Sequence, residues 1–412
     1  MKCNPMEIWT ILLILLVTAR FFSEIARRLR LPSLTGEIVA GILLGIAFDR
    51  LSGTFPELGK LSHDKVFHTI TEFGMFFLML YAGVELQFKS LKEASAKAIW
   101  VAVGGMIFPL ILGFGLGWFT LPESSLKSAQ VFFLGVALAI TAVPVAIKVL
   151  IDLDKLQTKA GQTIVSSAVI DDIISLLLLA LLTTFLKTGS FPTAGGLALL
   201  AGKIGLFFVI TFLFGIYLLP VLARKVIRDV NIVESEVSFL LIVALGLAVL
   251  AEALGMHFII GAFMAGLFFA KRDMKSSVHE DVEQKIKAIS SGFFAPIFFA
   301  SIGMSLELSA FVNIPLFVVA LLFFASIGKI LGAGIPAKLA GYSLQDALLI
   351  GNAMNARGAV ELVIAGIALQ AGLFEQPESS VLVSNLFSAV VIMAIFTTLI
   401  TPFILKRIAS SE

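Results

Sequence analysis

Apolar runs of 17 or more residues, separated by short polar breaks, recur from one end of this 412-residue chain to the other. A run of that length matches the roughly 20 residues an α-helix needs to cross about 30 Å of hydrocarbon. Lipid offers no partner to a backbone N–H or C=O, so such segments fold as helices. The runs cover about 6–27, 33–48, 67–88, 95–119, 128–150, 160–187, 195–223, 234–252, 254–270, 286–305, 311–340, 345–371 and 378–405. They predict an all-α polytopic membrane protein with about thirteen transmembrane helices. Composition points the same way. Only 14% of residues are charged, against roughly 25% in a soluble chain, and mean hydropathy is +1.02.

The same features exclude several classes. One cysteine, Cys3, leaves no intramolecular disulfide, and there is no CxxC or His-Cys cluster of the zinc-binding kind. A net charge of +2, confined to short loops, gives no surface for nucleic acid. No cofactor is expected, and the protein is not expected to be an enzyme. The first run has no basic leader and no small-residue cleavage site, so it is expected to be retained. Residues 1–412 are read as a single transmembrane domain without a cytoplasmic regulatory domain, since a five-residue tail follows Lys406-Arg407. Lysines and arginines concentrate in alternate loops, among them Arg27, Arg28, Arg30, Lys89, Lys92, Lys97, Arg224, Lys225, Arg228 and Lys338. That bias places the N-terminus outside and the C-terminus in the cytoplasm of a plasma-membrane protein.

Thirteen spans divide into six, a linker and six. If the halves are inverted repeats, the fifth span corresponds to the twelfth, and both are interrupted. The fifth carries Thr141-Ala142-Val143-Pro144 in mid-membrane; the twelfth carries Asn352, Asn355, Arg357 and Gly358. Interruptions at matching places in two halves point to a transporter's binding site, built where broken helices cross.

Ionisable residues inside the membrane are the strongest signal. Asp171 and Asp172 lie about eleven residues, or roughly 17 Å, from the cytoplasmic end of the sixth span, and Lys329 lies at similar depth in the eleventh. Each such charge costs about 2.5–3.5 kcal/mol at a helix centre. Three left unpaired would cost roughly 8–10 kcal/mol, as much as a domain's net stability. Adjacent helical residues point about 100° apart, so both aspartates cannot face one partner. One carboxylate goes to Lys329, and the other faces a water-filled cavity. A desolvated carboxyl beside a like charge can hold either a proton or a small cation, which is the chemistry of competitive exchange.

The Asp-Asp pair after a TAVP break stands with GEIVAGILLG (36–45), EFGMFFLMLYAGVEL (72–86), GAFMAGL (261–267), PIFFASIGMSLEL (296–308) and Lys329. Together these resemble the cation:proton antiporter-2 family over essentially the whole chain, and within it the NapA-type electrogenic sodium/proton antiporters. The resemblance implies that Asp172 binds the ion, sodium or lithium, and that Asp171 faces Lys329. It also implies a homodimer, a core moving against a dimerisation subdomain, and two crossing broken helices. Potassium systems of the same family show Gln-Asp here and carry a nucleotide-binding domain; this chain has neither, which favours sodium over the alternative of potassium/proton exchange.

Other polar residues carry less. Arg357 and Glu361, spaced i,i+4, either pair with each other or offset half-helix dipoles at the crossing. Glu37, Glu72 and Glu85 read as interfacial carboxylates reaching water. Thr141, at the break itself, could supply a neutral oxygen to a hard cation; Ser166 and Ser167 read equally well as packing residues. An intramembrane aspartyl protease would need its two aspartates on different helices. A channel would not need two inverted halves with broken helices.

Overall fold

The computed structural model describes residues 5–29, 31–51, 65–85, 96–141, 150, 155, 158–188, 194–219, 221, 235–269, 276–306 and 308–409. Every regular element among them is helical. The main helices are α1 (Pro5–Arg28), α2 (Ser33–Leu51), α3 (Lys65–Glu85), α4 (Ala96–Thr120), α5 (Lys127–Ala139), α6 (Lys159–Thr188) and α7 (Ala194–Leu213). They continue with α8 (Ser235–Ala253), α9 (Phe258–Phe269), α10 (Ser276–Ile289), α11 (Ala295–Met304), α12 (Pro315–Leu339), α13 (Leu344–Ala353), α14 (Ala359–Gln370) and α15 (Leu386–Ala409). Among the described residues, eight helices are long and apolar enough to cross a membrane, and five shorter ones are also apolar. Large apolar side chains such as Phe119, Leu316 and Val312 stand more than four-fifths exposed. Water would oppose such a surface and lipid tails would cover it. The protein is a multi-pass membrane protein.

Several boundaries differ from the hydropathy reading, each for a local reason. The tenth run was expected at 286–305, but its helix begins at Ser276 and passes through one π-turn, Ser290–Phe294, into α11. The first half of α10 is polar, so it falls below a hydropathy threshold. The eleventh run is split by Pro315, which has no N–H to give a preceding turn and opens α12 at its N1 position. The thirteenth begins at Leu386 instead of 378, because the residues before it form a loop and a single turn, Val381–Ser384. Within the fifth run α5 ends at Ala139, where Ile140 turns extended with ψ 146°. The twelfth is two helices, α13 and α14, separated by residues 354–358.

The helices assemble into two compact units, interleaved along the chain. Unit 1 holds α1–α3 and, from Ala198 on, α7–α11; unit 2 holds α4–α6 and α12–α15. Unit 1 packs α1 on α2, α2 on α11, α3 on α9 and α8 on α9. Its core includes Leu15, Ala40, Ile297 and Ala300. Backbones meet closely here: a side chain at Gly41 would collide with the carbonyl of Ala300, and one at Gly303 with that of Ile38. Without a hydrophobic drive between helices in lipid, such small-residue contacts are what lets them associate.

Unit 2 is built around α4, which packs against α5, α6 and α12, while α12 also packs against α13 and α15. Its core includes Val101, Ile164, Ile350, Met354 and Leu405. Gly104 and Gly332 face each other so closely that a side chain on either would strike the other's carbonyl. One step along, Gly328 accommodates Pro109, the proline inside α4.

Candidate functional site

Unit 2 gathers the charges that the sequence places in mid-membrane. Two helix interruptions create the need for them. At the end of α5 the last carbonyls have no intrahelical donor, as at any helix terminus. The guanidinium of Arg357 supplies donors: Nη2 to Leu138 O at 2.8 Å, and Nη1 to Ala137 O and, at 3.4 Å, to Ile140 O. Arginine suits this task because its planar fork can address several acceptors at once. A cation at a helix C-terminus also opposes the negative end of the dipole.

The second interruption is the stretch 354–358, buried at every residue. It is braced by the Thr398 hydroxyl on α15, which donates to Arg357 O at 2.5 Å. On its far side α14 begins with Glu361 in the first turn, where a carboxylate complements the positive end of the helix. Arg357 Nη1 and Glu361 Oε1 are 3.5 Å apart, with neither side chain more than 1% exposed. Arg357 is thus in reach of both Glu361 and the carbonyls at the end of α5. Gly358 is extended, with φ −171°, a conformation open to any residue.

Lys329 on α12 and Asp171 on α6 form the second buried pair, Nζ to Oδ1 at 3.4 Å, both fully buried. Nζ also donates to the Thr141 hydroxyl at 2.5 Å, immediately past the end of α5. Asp171 Oδ2 has no hydrogen-bond partner among the described residues. Asp172, one residue on, is half-buried, turned about 100° from its neighbour. Asn355 is buried with Oδ1 unpartnered among the described residues. Two cations and two carboxylates are thus buried together, and their formal charges cancel. Isolated burial of any one would be costly; burial as two ion pairs offsets part of that cost.

Val143 and Pro144, expected at the crossing, lie outside the described residues. Ser167 spends its hydroxyl on Ala98 O at 3.0 Å, holding α6 to α4, and Ser166 is half-buried. Among the described residues no group of three or more His, Cys, Asp or Glu gathers as a metal cluster would. One expectation is corrected in unit 1: Glu37 does not reach water but is 5% exposed, interacting with Ser23 and Arg20 of α1. Glu72 is half-buried and Glu85 exposed. Two contributors were missed altogether. Thr398 sits in an apolar run and is not singled out in the sequence. Gln130, fully buried, donates from Nε2 to Leu373 O at 2.9 Å and Gln376 O at 2.6 Å, tying α5 to the loop after α14.

The chain is 32% identical over 404 residues to a Na(+)/H(+) antiporter of Enterococcus hirae, covering 97% of this chain and 98% of that protein. It is also 32% identical to the Na(+)/H(+)-K(+) antiporter GerN of Bacillus cereus, covering 95% and 94% of the two chains. Among solved structures, the sodium proton antiporter MjNhaP1 of Methanocaldococcus jannaschii shares the fold with a TM-score of 0.70 at 18% identity, over 98% of this chain and 96% of that one. The model of the sodium/hydrogen exchanger transmembrane family matches residues 11–410, and the chain belongs to that family.

Proposed function

We propose that the protein exchanges a monovalent cation, sodium foremost, for protons by alternating access, with Asp172 as the exchangeable carboxylate. The observation that carries this reading is the unequal setting of two adjacent aspartates: Asp171 is closed off and faces Lys329, while Asp172 is half-buried. A carboxyl at that depth releases a proton when a small cation takes its place, and the cation leaves when the proton returns. Thr141, accepting from Lys329 beside Asp171, is a candidate neutral oxygen ligand. Arg357 and Glu361 would then hold the half-helix ends neutral, so that the ion alone changes the site's charge through the cycle.

If Lys329 or Asp171 also gives up a proton during the cycle, two protons move per cation and transport is electrogenic. Sodium is favoured by the Asp-Asp pair and by the name of the Enterococcus relative, a Na(+)/H(+) antiporter; the name of GerN adds potassium as the second candidate. We also place the chain in the plasma membrane with the N-terminus outside, as a homodimer, on the loop charges and the family resemblance. In this reading residues 1–412 form one transmembrane domain, with unit 2 as the ion-carrying core. The test is dissipation of a proton gradient in proteoliposomes, with sodium, lithium and potassium added in turn. Saturating, cation-dependent collapse supports antiport. Ohmic flux without coupling would replace it with a channel, and peptide cleavage without ion movement with a protease.

A further inference from the structure

A groove of about 700 Å³ runs along the α4–α12 pair. Its walls include Trp100, Ile107 and Phe108 of α4 and Leu331, Ile335 and Leu339 of α12, and no ionised side chain lines it. The groove exists because Gly104 and Gly332, which also line it, bring the two backbones together and leave no side chains to fill the cleft. From Trp100 to Phe108 the helix rises about 12 Å, close to the roughly 15 Å of hydrocarbon in one leaflet of a bilayer whose core is about 30 Å.

One end of the groove is basic. Residues three, four or seven apart share a helix face. Lys97 precedes Trp100 by three, and Lys338 follows Ile335 by three and Leu331 by seven, so both extend the groove's faces at the same end. Both lysines are exposed. Lys97 Nζ lies 5.0 Å from the centre of the Tyr342 ring, and the Tyr342 hydroxyl is 2.6 Å from that of Thr163, which fixes the ring that positions the ammonium. Trp100 at the same end, two-thirds exposed, is the residue type that settles at the level of lipid headgroups.

We propose that this groove is a binding site for an anionic phospholipid, one acyl chain lying between α4 and α12 and the phosphate held between Lys97 and Lys338. The apolar walls alone would accept any chain, but two ammonium groups at the mouth select a headgroup with net negative charge. A second copy of the protein is a poorer occupant, because the same groove on a facing copy has no acid in its lining to meet the two lysines. The site lies within unit 2 and shares no residue with the proposed exchange machinery, so it stands whatever ion is carried.

Native mass spectrometry of the purified full chain in mixed micelles tests it, with phosphatidylglycerol and phosphatidylcholine of identical acyl chains supplied at equal concentration. Expected is at least fivefold greater retention of phosphatidylglycerol by the wild type. K97Q/K338Q should fall to the phosphatidylcholine level, and Val103→Trp, which fills the groove from its α4 wall, should lower retention of both lipids. Melting temperature checks that each variant is folded, and Ile335→Trp replaces Val103→Trp if that variant is not. Equal retention of the two lipids by the wild type would overturn the proposal, as would undiminished phosphatidylglycerol on K97Q/K338Q. So would a dimer mass that Val103→Trp abolishes while lipid retention is unchanged, since a second copy would then occupy the groove.

Discussion

The two units use similar materials to different ends. Both close helices together through glycines, and both expose apolar side chains outward. They differ in what they bury. Among the described residues, unit 1 buries one ionisable side chain, Glu37, whereas unit 2 buries Asp171, Lys329, Arg357 and Glu361 in addition to the peripheral Lys127. A membrane helix has no structural need for a mid-span charge, and each one costs energy. Four such charges in one unit, with a formal sum of zero, fit the proposal that unit 2 carries the ion and unit 1 supports it.

Asp172→Asn breaks that comparison most directly. An amide can neither release a proton nor replace the carboxylate toward a cation, so exchange in proteoliposomes should fall to the level of empty vesicles. Glu37→Gln in unit 1 should leave the rate within a factor of about two, with stability changed by less than about 1 kcal/mol, as expected for one exchanged hydrogen bond. Equal losses in both variants would mean that the contrast between the units has been misread.

Competition at the same carboxylate predicts the next largest effect. Where the proton-bound form predominates, the sodium concentration giving half-maximal rate should rise about tenfold per unit fall in pH, by mass action for two ligands of one site. The sign follows because protons accumulate at low pH and exclude sodium. A half-saturation constant that holds steady over two pH units would assign the two ions to separate sites.

Arg357→Gln should cost about 3–5 kcal/mol, the usual penalty for leaving a buried charge uncompensated, since Glu361 loses its ion-pair partner and three carbonyls at the α5 end lose their donor together. Thermal unfolding in detergent measures it. Arg357→Lys should recover only part, because one ammonium cannot reproduce the fork. Lys329→Gln should be milder, because Asp171 can take up a proton and escape part of the penalty. That variant should melt lower and exchange more slowly, with smaller transient currents on a solid-supported membrane. Wild-type melting with undiminished currents would remove Lys329 from both pairing and coupling.

Much of this was legible before any coordinates, and the reason is the lipid. A charge such as Lys329 in an apolar run announces a partner, because the alternative is too costly; that argument reached the aspartate pair, and only the family resemblance singled out Asp171. The break at Asn355-Arg357-Gly358 was equally visible, since polar residues there could serve no ordinary span. Glu37 was misjudged because position near a helix end says nothing about whether another helix covers it; Arg20 and Ser23 lie far from it in sequence. Gln130 and Thr398 were invisible for a related reason: their partners are backbone carbonyls, which every sequence contains everywhere. The start of α10 falls outside the span at 286–305 because its polar turns fall below any hydropathy threshold while remaining helical.

The contact between α4 and α12 has a mechanical consequence. Lys329 sits between Gly328, packed on Pro109, and Gly332, packed on Gly104. Side chains yield by changing rotamer, but two backbones in contact have no such slack, and closely packed interiors transmit strain. A sideways load on α4 near Trp100 therefore reaches the ammonium of Lys329 with little damping, through a joint that is stiff in the plane of the helix pair. The ion pair at its centre is carried as if on a girder, and what presses on the girder's flank is felt at the charge.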